Sequence, residues 1–168
     1  MSIGLEKWHD FYITVGGGAA ALAGLVFVAM SINLGIIFHD STHKNRAIGT
    51  LTGFTAIFII CALALMGDQA YWLVGTEWLI VSGIATFIYI RGVIRAMKLG
   101  GSWVGLGSSR LTGGMACYVA QILGSLLLIA GHISGLYIAS VAMVISFVSL
   151  ISGAWLLIVG VHEGRPKR

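Results

Sequence analysis

Apolar runs long enough to cross a lipid bilayer occupy most of this chain, and they constrain its fold more than any other feature. A helix rises 1.5 Å per residue, so about 20 mostly apolar residues cover roughly 30 Å of hydrocarbon. Five stretches reach that length, at about 12–38, 47–66, 74–94, 111–131 and 136–161. The last two cannot be one helix, because a rod from Leu111 to Val161 would measure roughly 75 Å, more than twice the hydrocarbon core. A break is expected in the glycine-bracketed turn Gly131-His132-Ile133-Ser134-Gly135. Only 10% of the 168 residues are charged and 58% are hydrophobic, whereas a water-facing surface carries about 25% charged residues. The expected fold class is all-α, a polytopic transmembrane helical bundle with five spans forming a single domain over residues 1–168.

Lys and Arg orient that bundle, since cytoplasmic loops near span ends concentrate them. With the N-terminus outside and an odd number of crossings, the outer side holds only Lys7. The inner side holds Lys44, Arg46, Arg91, Arg95, Lys98, Arg110, Arg165, Lys167 and Arg168. Fusing the last two spans would move the basic tail outside and break this bias, so the C-terminus is expected to be cytoplasmic. The small-residue patch from Gly16 to Ala23 precedes the apolar core instead of following it as a cleavage site would, which predicts a retained first span. Trp8, Phe11, Tyr12, Tyr71, Trp72 and Trp78 are expected in the outer interfacial belt, and Trp103 in the inner one.

Helices in lipid gain nothing by hiding apolar surface from their surroundings, so they associate where small residues let backbones approach. The first span offers Gly17, Ala21, Gly24, Ser31 and Gly35. The fourth offers Gly113, Cys117, Ala120, Gly124 and Gly131, and the fifth Gly135, Ala139, Ala142, Ser146, Ser149 and Gly153. Their alternating steps of three and four predict left-handed seams and a thin, dense bundle without a wide pore through one chain.

Ionisable side chains are nearly missing from the span centres, where each would cost about 2.5–3.5 kcal/mol on the insertion scale. Asn33 and Gln121 are the amides inside spans, read as interhelical hydrogen-bonding groups or, with Ser31, as the lining of a pore between subunits. Arg91 and Arg95 lie one turn apart, where their stems are expected to snorkel to the interface, as topology anchors or as an anionic-lipid contact. On the outer face, Glu6, Asp10, Asp68 and Glu77 meet the single base Lys7. Glu77 in the first turn of the third span suits the helix dipole. A sharper reading makes His9, Asp10, Asp68, Glu77 and His132 a shallow outer site for a cation or a partner subunit.

No metal site, cofactor site or catalytic group emerges. His39 and His43 are four apart but lack a third ligand in a short polar loop, and no span carries a histidine near its centre for haem. Cys61 and Cys117 are isolated intramembrane thiols, read as small packing residues. Thr14-Val15-Gly16-Gly17-Gly18 opens a long helix and lacks the aromatic residue of a selectivity filter. The run Gly100 to Ser109 lacks the Gly-Lys ending of a phosphate loop and reads as an inner loop or a re-entrant segment. Nothing pairs a nucleophile with a base. The basic residues track topology, so no nucleic-acid partner is expected.

Two runs, Trp8-His9-Asp10-Phe11-Tyr12 and Ala19-Ala20-Ala21-Leu22-Ala23-Gly24-Leu25-Val26-Phe27-Val28-Ala29-Met30-Ser31-Ile32-Asn33, resemble the opening of a family of small bacterial multi-pass integral membrane proteins. Arg46-Ala47 and Gly75-Thr76-Glu77-Trp78-Leu79 are similar to later features of that family, so the resemblance covers about the first half of the chain. It implies residence in a bacterial membrane and brings no activity or cofactor with it.

Together these features predict a non-enzymatic protein of the bacterial cytoplasmic (inner) membrane. Its tightly packed helices would serve as a structural or accessory subunit, with lipid and either itself or a larger membrane complex as partners. The alternative is a homo-oligomeric ion channel with an acidic outer rim.

Overall fold

The computed structural model describes residues 7–32, 41–67, 69–98 and 108–163. Five helices follow one another, α1 His9–Ile32, α2 Ser41–Ala64, α3 Tyr71–Lys98, α4 Ser108–Ile129 and α5 Ser134–Glu163, with no strand among the described residues. Asn33, Gly35, His39, Asp68 and Trp103, with the rest of the run Gly100 to Gly107, lie outside the described residues. Among the described residues, four helices are long and apolar enough to cross a membrane: α1, and the segments Ala47–Ala64, Tyr71–Arg95 and Ser134–Trp155 of α2, α3 and α5. Helix α4 carries a shorter apolar stretch, Gly113–Ile129.

The break between the last two helices falls where the glycines predict it. Helix α4 closes with the His132 N–H donating to the Leu127 carbonyl and the Gly131 N–H to the Leu128 carbonyl, both at 2.9 Å. That pair of bonds satisfies two orphan carbonyls and needs a left-handed residue, supplied by Gly131 at φ +82°. Gly67, at φ +66°, turns the chain after α2 in the same left-handed region.

Helix α2 packs on α1, α3 and α5, while α4 lies between α3 and α5. The contacts fix the directions. Gly75 near the start of α3 faces Ser125 and Ile129 near the end of α4, and Gly114 of α4 faces Tyr89 of α3. Gly53 of α2 faces Leu150 of α5, and the Phe54 and Phe147 rings stand 5.8 Å apart. Both pairs are antiparallel, so α1, α3 and α5 start at one end of the bundle.

That end is the dense one. Tyr12, Val74, Trp78, Leu128 and Leu136 are fully buried there. The Tyr12 ring lies 5.9 Å from Trp78, and its hydroxyl shares a 3.2 Å hydrogen bond with Ser140 Oγ. This corrects the belt assignment for Tyr12 and Trp78, which belong to the core, whereas Trp72 remains 60% exposed. Aromatic rings at a helix end serve equally well as interfacial anchors or as core, and only the neighbouring helices decide which.

The small-residue seam of α1 is also corrected. Its buried residues are Tyr12, Gly16, Ala19 and Val26, whereas Gly17, Ala21, Gly24 and Ser31 are exposed. Helix α1 is apolar on all sides, so hydrophobicity does not set its rotation. The Tyr12 anchor does, together with Gly16, where an added Cβ would stand 2.8 Å from Cys61 Cβ. Of the α4 and α5 seams, Cys117, Gly124, Gly135, Ala139 and Ala142 are buried, but Gly113, Gly131 and Ser149 are exposed and Ala120, Ser146 and Gly153 half-buried.

Candidate functional site

The expected dense bundle opens at the other end. Helix α3 meets α4 backbone to backbone at Gly75, where an added Cβ would stand 2.8 Å from the Ser125 carbonyl oxygen. Fourteen residues further along α3, the Tyr89 ring lies 5.2 Å from the Tyr118 ring of α4. The α3–α4 contact is therefore backbone to backbone at one end and carried by tyrosine rings at the other. A cleft of about 630 Å³ is bounded by α2, α3, α4 and α5, within the range of small-molecule sites, about 300–1,000 Å³.

The cleft wall is mainly apolar, with Ile57, Ile60, Ala85 and Ile88 among its residues. Its polar groups are unevenly committed. Ser82 Oγ donates to the Trp78 carbonyl one turn back, and Ser149 Oγ donates to the Ile145 carbonyl at 2.9 Å. Those hydroxyl protons are spent on their own helices. Gln121 differs. It is 6% exposed, lines the cleft, and its Nε2 has no hydrogen-bond partner among the described residues. Leaving a buried donor unmade costs about 1–3 kcal/mol, so this amide is the strongest polar demand in the cleft.

Arg91 and Arg95 also line the cleft. Arg91 is exposed in the last turns of α3. Its Cζ lies 4.4 Å from the centroid of the Phe87 ring, one turn back toward the middle of α3. The ring face attracts the guanidinium, which carries the positive charge inward along the cleft. Among the described lining residues none is a carboxylate.

The polar residues expected on the outer face are placed differently. His9 Nδ1 lies 3.8 Å from Asp10 Oδ1, both exposed at the start of α1. Glu77 is met by Gln69, whose Nε2 lies 3.4 Å from each carboxylate oxygen. His132 is exposed in the turn between α4 and α5. Among the described residues no three His, Cys, Asp or Glu side chains could hold one metal ion together. Of the amide and hydroxyl candidates, Ser31 is exposed on α1 with its hydroxyl on the Phe27 carbonyl at 2.9 Å, whereas Gln121 is buried. The two do not share a surface. Cys61 and Cys117 are both buried and free, with Cys61 Sγ donating to Met143 Sδ at 3.5 Å.

The residues missed by a reading of charges and amides are Thr50, Ser82, Tyr89 and Tyr118. No family model, curated protein or solved structure matches the chain.

Proposed function

We infer that this protein is a non-enzymatic subunit of a bacterial cytoplasmic membrane, crossing it five times with its N-terminus outside, and that it works by docking against another membrane helix. The observation that carries the reading is the free face of α1. Gly17, Ala21, Gly24 and Ser31 are exposed, and among the described residues no neighbouring helix comes within 4 Å of where a Cβ would stand at Gly17 or Gly24. Small residues stepping by four and three let a second backbone approach closely, and in lipid such approach drives association. Within the chain this capacity goes unused. The simplest occupant is a second copy, with a larger complex as the other arrangement.

Five crossings are supported by the length of α4, whose 22 residues rise about 33 Å, and by its position between α3 and α5. The orientation is supported by the nine Lys and Arg expected on one side against Lys7 on the other. The resemblance of the Trp8–Tyr12 and Ala19–Asn33 runs to small bacterial membrane proteins agrees with that compartment.

Size measurement in mild detergent tests the reading. The wild-type chain is expected to run as a dimer or larger assembly, and Gly17→Leu with Gly24→Leu is expected to release monomers of unchanged helicity. A wild-type chain that is monomeric and free of other subunits in native membrane extracts would defeat it.

A further inference from the structure

The open end of the bundle combines three features that its own packing leaves unused. Gln121 offers a buried amide proton without a partner among the described residues. Arg91 holds its charge one turn inward over Phe87. The described lining residues supply no acid to balance Arg91 or Arg95. A ligand that answers all three carries a negative group, a hydrogen-bond acceptor a few ångströms deeper, and apolar bulk for the remaining wall.

The register between helices sets the spacing. Gly75 faces Ser125 and Gly114 faces Tyr89, which puts Gln121 opposite the neighbourhood of Ser82. From there to Phe87, where the Arg91 guanidinium sits, is five residues of α3, or about 7–8 Å of helix rise. We propose that the cleft holds one anionic glycerophospholipid, its phosphate on Arg91 and Arg95, an ester carbonyl accepting from Gln121 Nε2, and an acyl chain against the apolar wall. A free phosphate would meet the charge but leave the amide and the apolar wall bare. A zwitterionic lipid would bring its own cation to the two arginines. The inner leaflet, where the basic ends of the spans are assigned, is the leaflet with a negative surface potential.

Gly53, Gly114 and Gly153 of the cleft wall face Leu150, Tyr89 and Thr50, but its other described glycines face open space. Among the described residues no atom of a neighbouring helix lies within 4 Å of a Cβ position at Gly49, Gly92 or Gly113. The glycines in the tight seams do not allow this. Bulk can therefore be added at Gly92 without displacing the fold. The inference presupposes that α3 and α4 span lipid but not that α1 binds a partner, so its failure and that of α1 docking are read separately.

The test is native mass spectrometry of delipidated protein titrated with phosphatidylglycerol or with phosphatidylethanolamine of the same chains. One phosphatidylglycerol per chain is expected to bind about tenfold more tightly than phosphatidylethanolamine, as two arginines at an anionic group allow. R91Q with R95Q is expected to abolish that preference. Gln121→Leu, close in size, should weaken phosphatidylglycerol about threefold and keep the preference, and Gly92→Leu should exclude the lipid while preserving helicity. Equal affinity for the two lipids would overturn the proposal. So would binding unchanged in both R91Q/R95Q and Gly92→Leu, or full displacement of the lipid by inorganic phosphate, which would mark a site for a free anion.

Discussion

Gly124 and Gly135 occupy each other's missing side chains. A Cβ on Gly124 would stand 2.8 Å from the Gly135 carbonyl oxygen and 2.9 Å from the Ala139 backbone nitrogen, and a Cβ on Gly135 would meet the Gly124 carbonyl and stand 2.8 Å from the Leu128 nitrogen. Backbone cannot yield as a side chain can, so this crossing fixes how α4 and α5 leave their shared turn. It also explains why the hairpin is tight at Gly131 and open eleven residues before Gly124, at Gly113.

Gly124→Ala and Gly135→Ala are each expected to destabilise the bundle by about 1–3 kcal/mol, the usual cost of overpacking. Gly113→Ala has open space before it and should be neutral or stabilising by about 0.5–1 kcal/mol, because alanine loses less backbone freedom in a helix. Unfolding by SDS titration in mixed micelles, followed by circular dichroism, separates the two classes.

The Tyr12 hydroxyl and Ser140 Oγ, joined at 3.2 Å, link the first and last helices. A double-mutant cycle with Tyr12→Phe and Ser140→Ala should return a coupling of about 0.6 kcal/mol, the mean for interhelical bonds in membranes, and no more than about 1.7. A coupling near zero would mean that the pair does not form in micelles.

The two thiols report on the cleft. Cys117 lines it, whereas Cys61 is held between Gly16 and Met143 in the core. A small methanethiosulfonate reagent should modify Cys117 faster than Cys61 in folded protein, since thiol reaction depends on access. The reverse order, measured by peptide mass after digestion, would contradict an open cleft beside Cys117.

Single cysteines at Lys7 and Arg168, in a chain with Cys61 and Cys117 replaced by Ala, test the five-span reading. An impermeant maleimide applied to intact spheroplasts should label the Lys7 position only, and the Arg168 position should react after lysis. Labelling of both from one side would remove the basis for the orientation.

Much of this architecture can be read in the linear order of residues. The runs at 12–38, 47–66, 74–94, 111–131 and 136–161 each correspond to one helix, and the expected break at Gly131 is made by Gly131 itself. Apolar length and a glycine able to adopt positive φ are local properties, so a sequence states them directly. The inward face of α1 could not be read this way. In a water-soluble helix the apolar stripe marks the core, but lipid and protein interior are equally apolar, and the Gly17 seam looks as suitable as the Gly16 face.

Residue order by itself determined the number and approximate position of the described helices, where the chain turns, and the gathering of positive charge toward one set of ends, because each depends on residues close together in the chain. Tertiary structure alone decided that Tyr12 and Trp78 are core, that α1 turns its Gly17 face outward, and that Gln121 and Arg91 share a cleft. Those outcomes come from glycines that let backbones touch at one end and tyrosine rings that carry the contact at the other, a balance that exists only once distant segments meet.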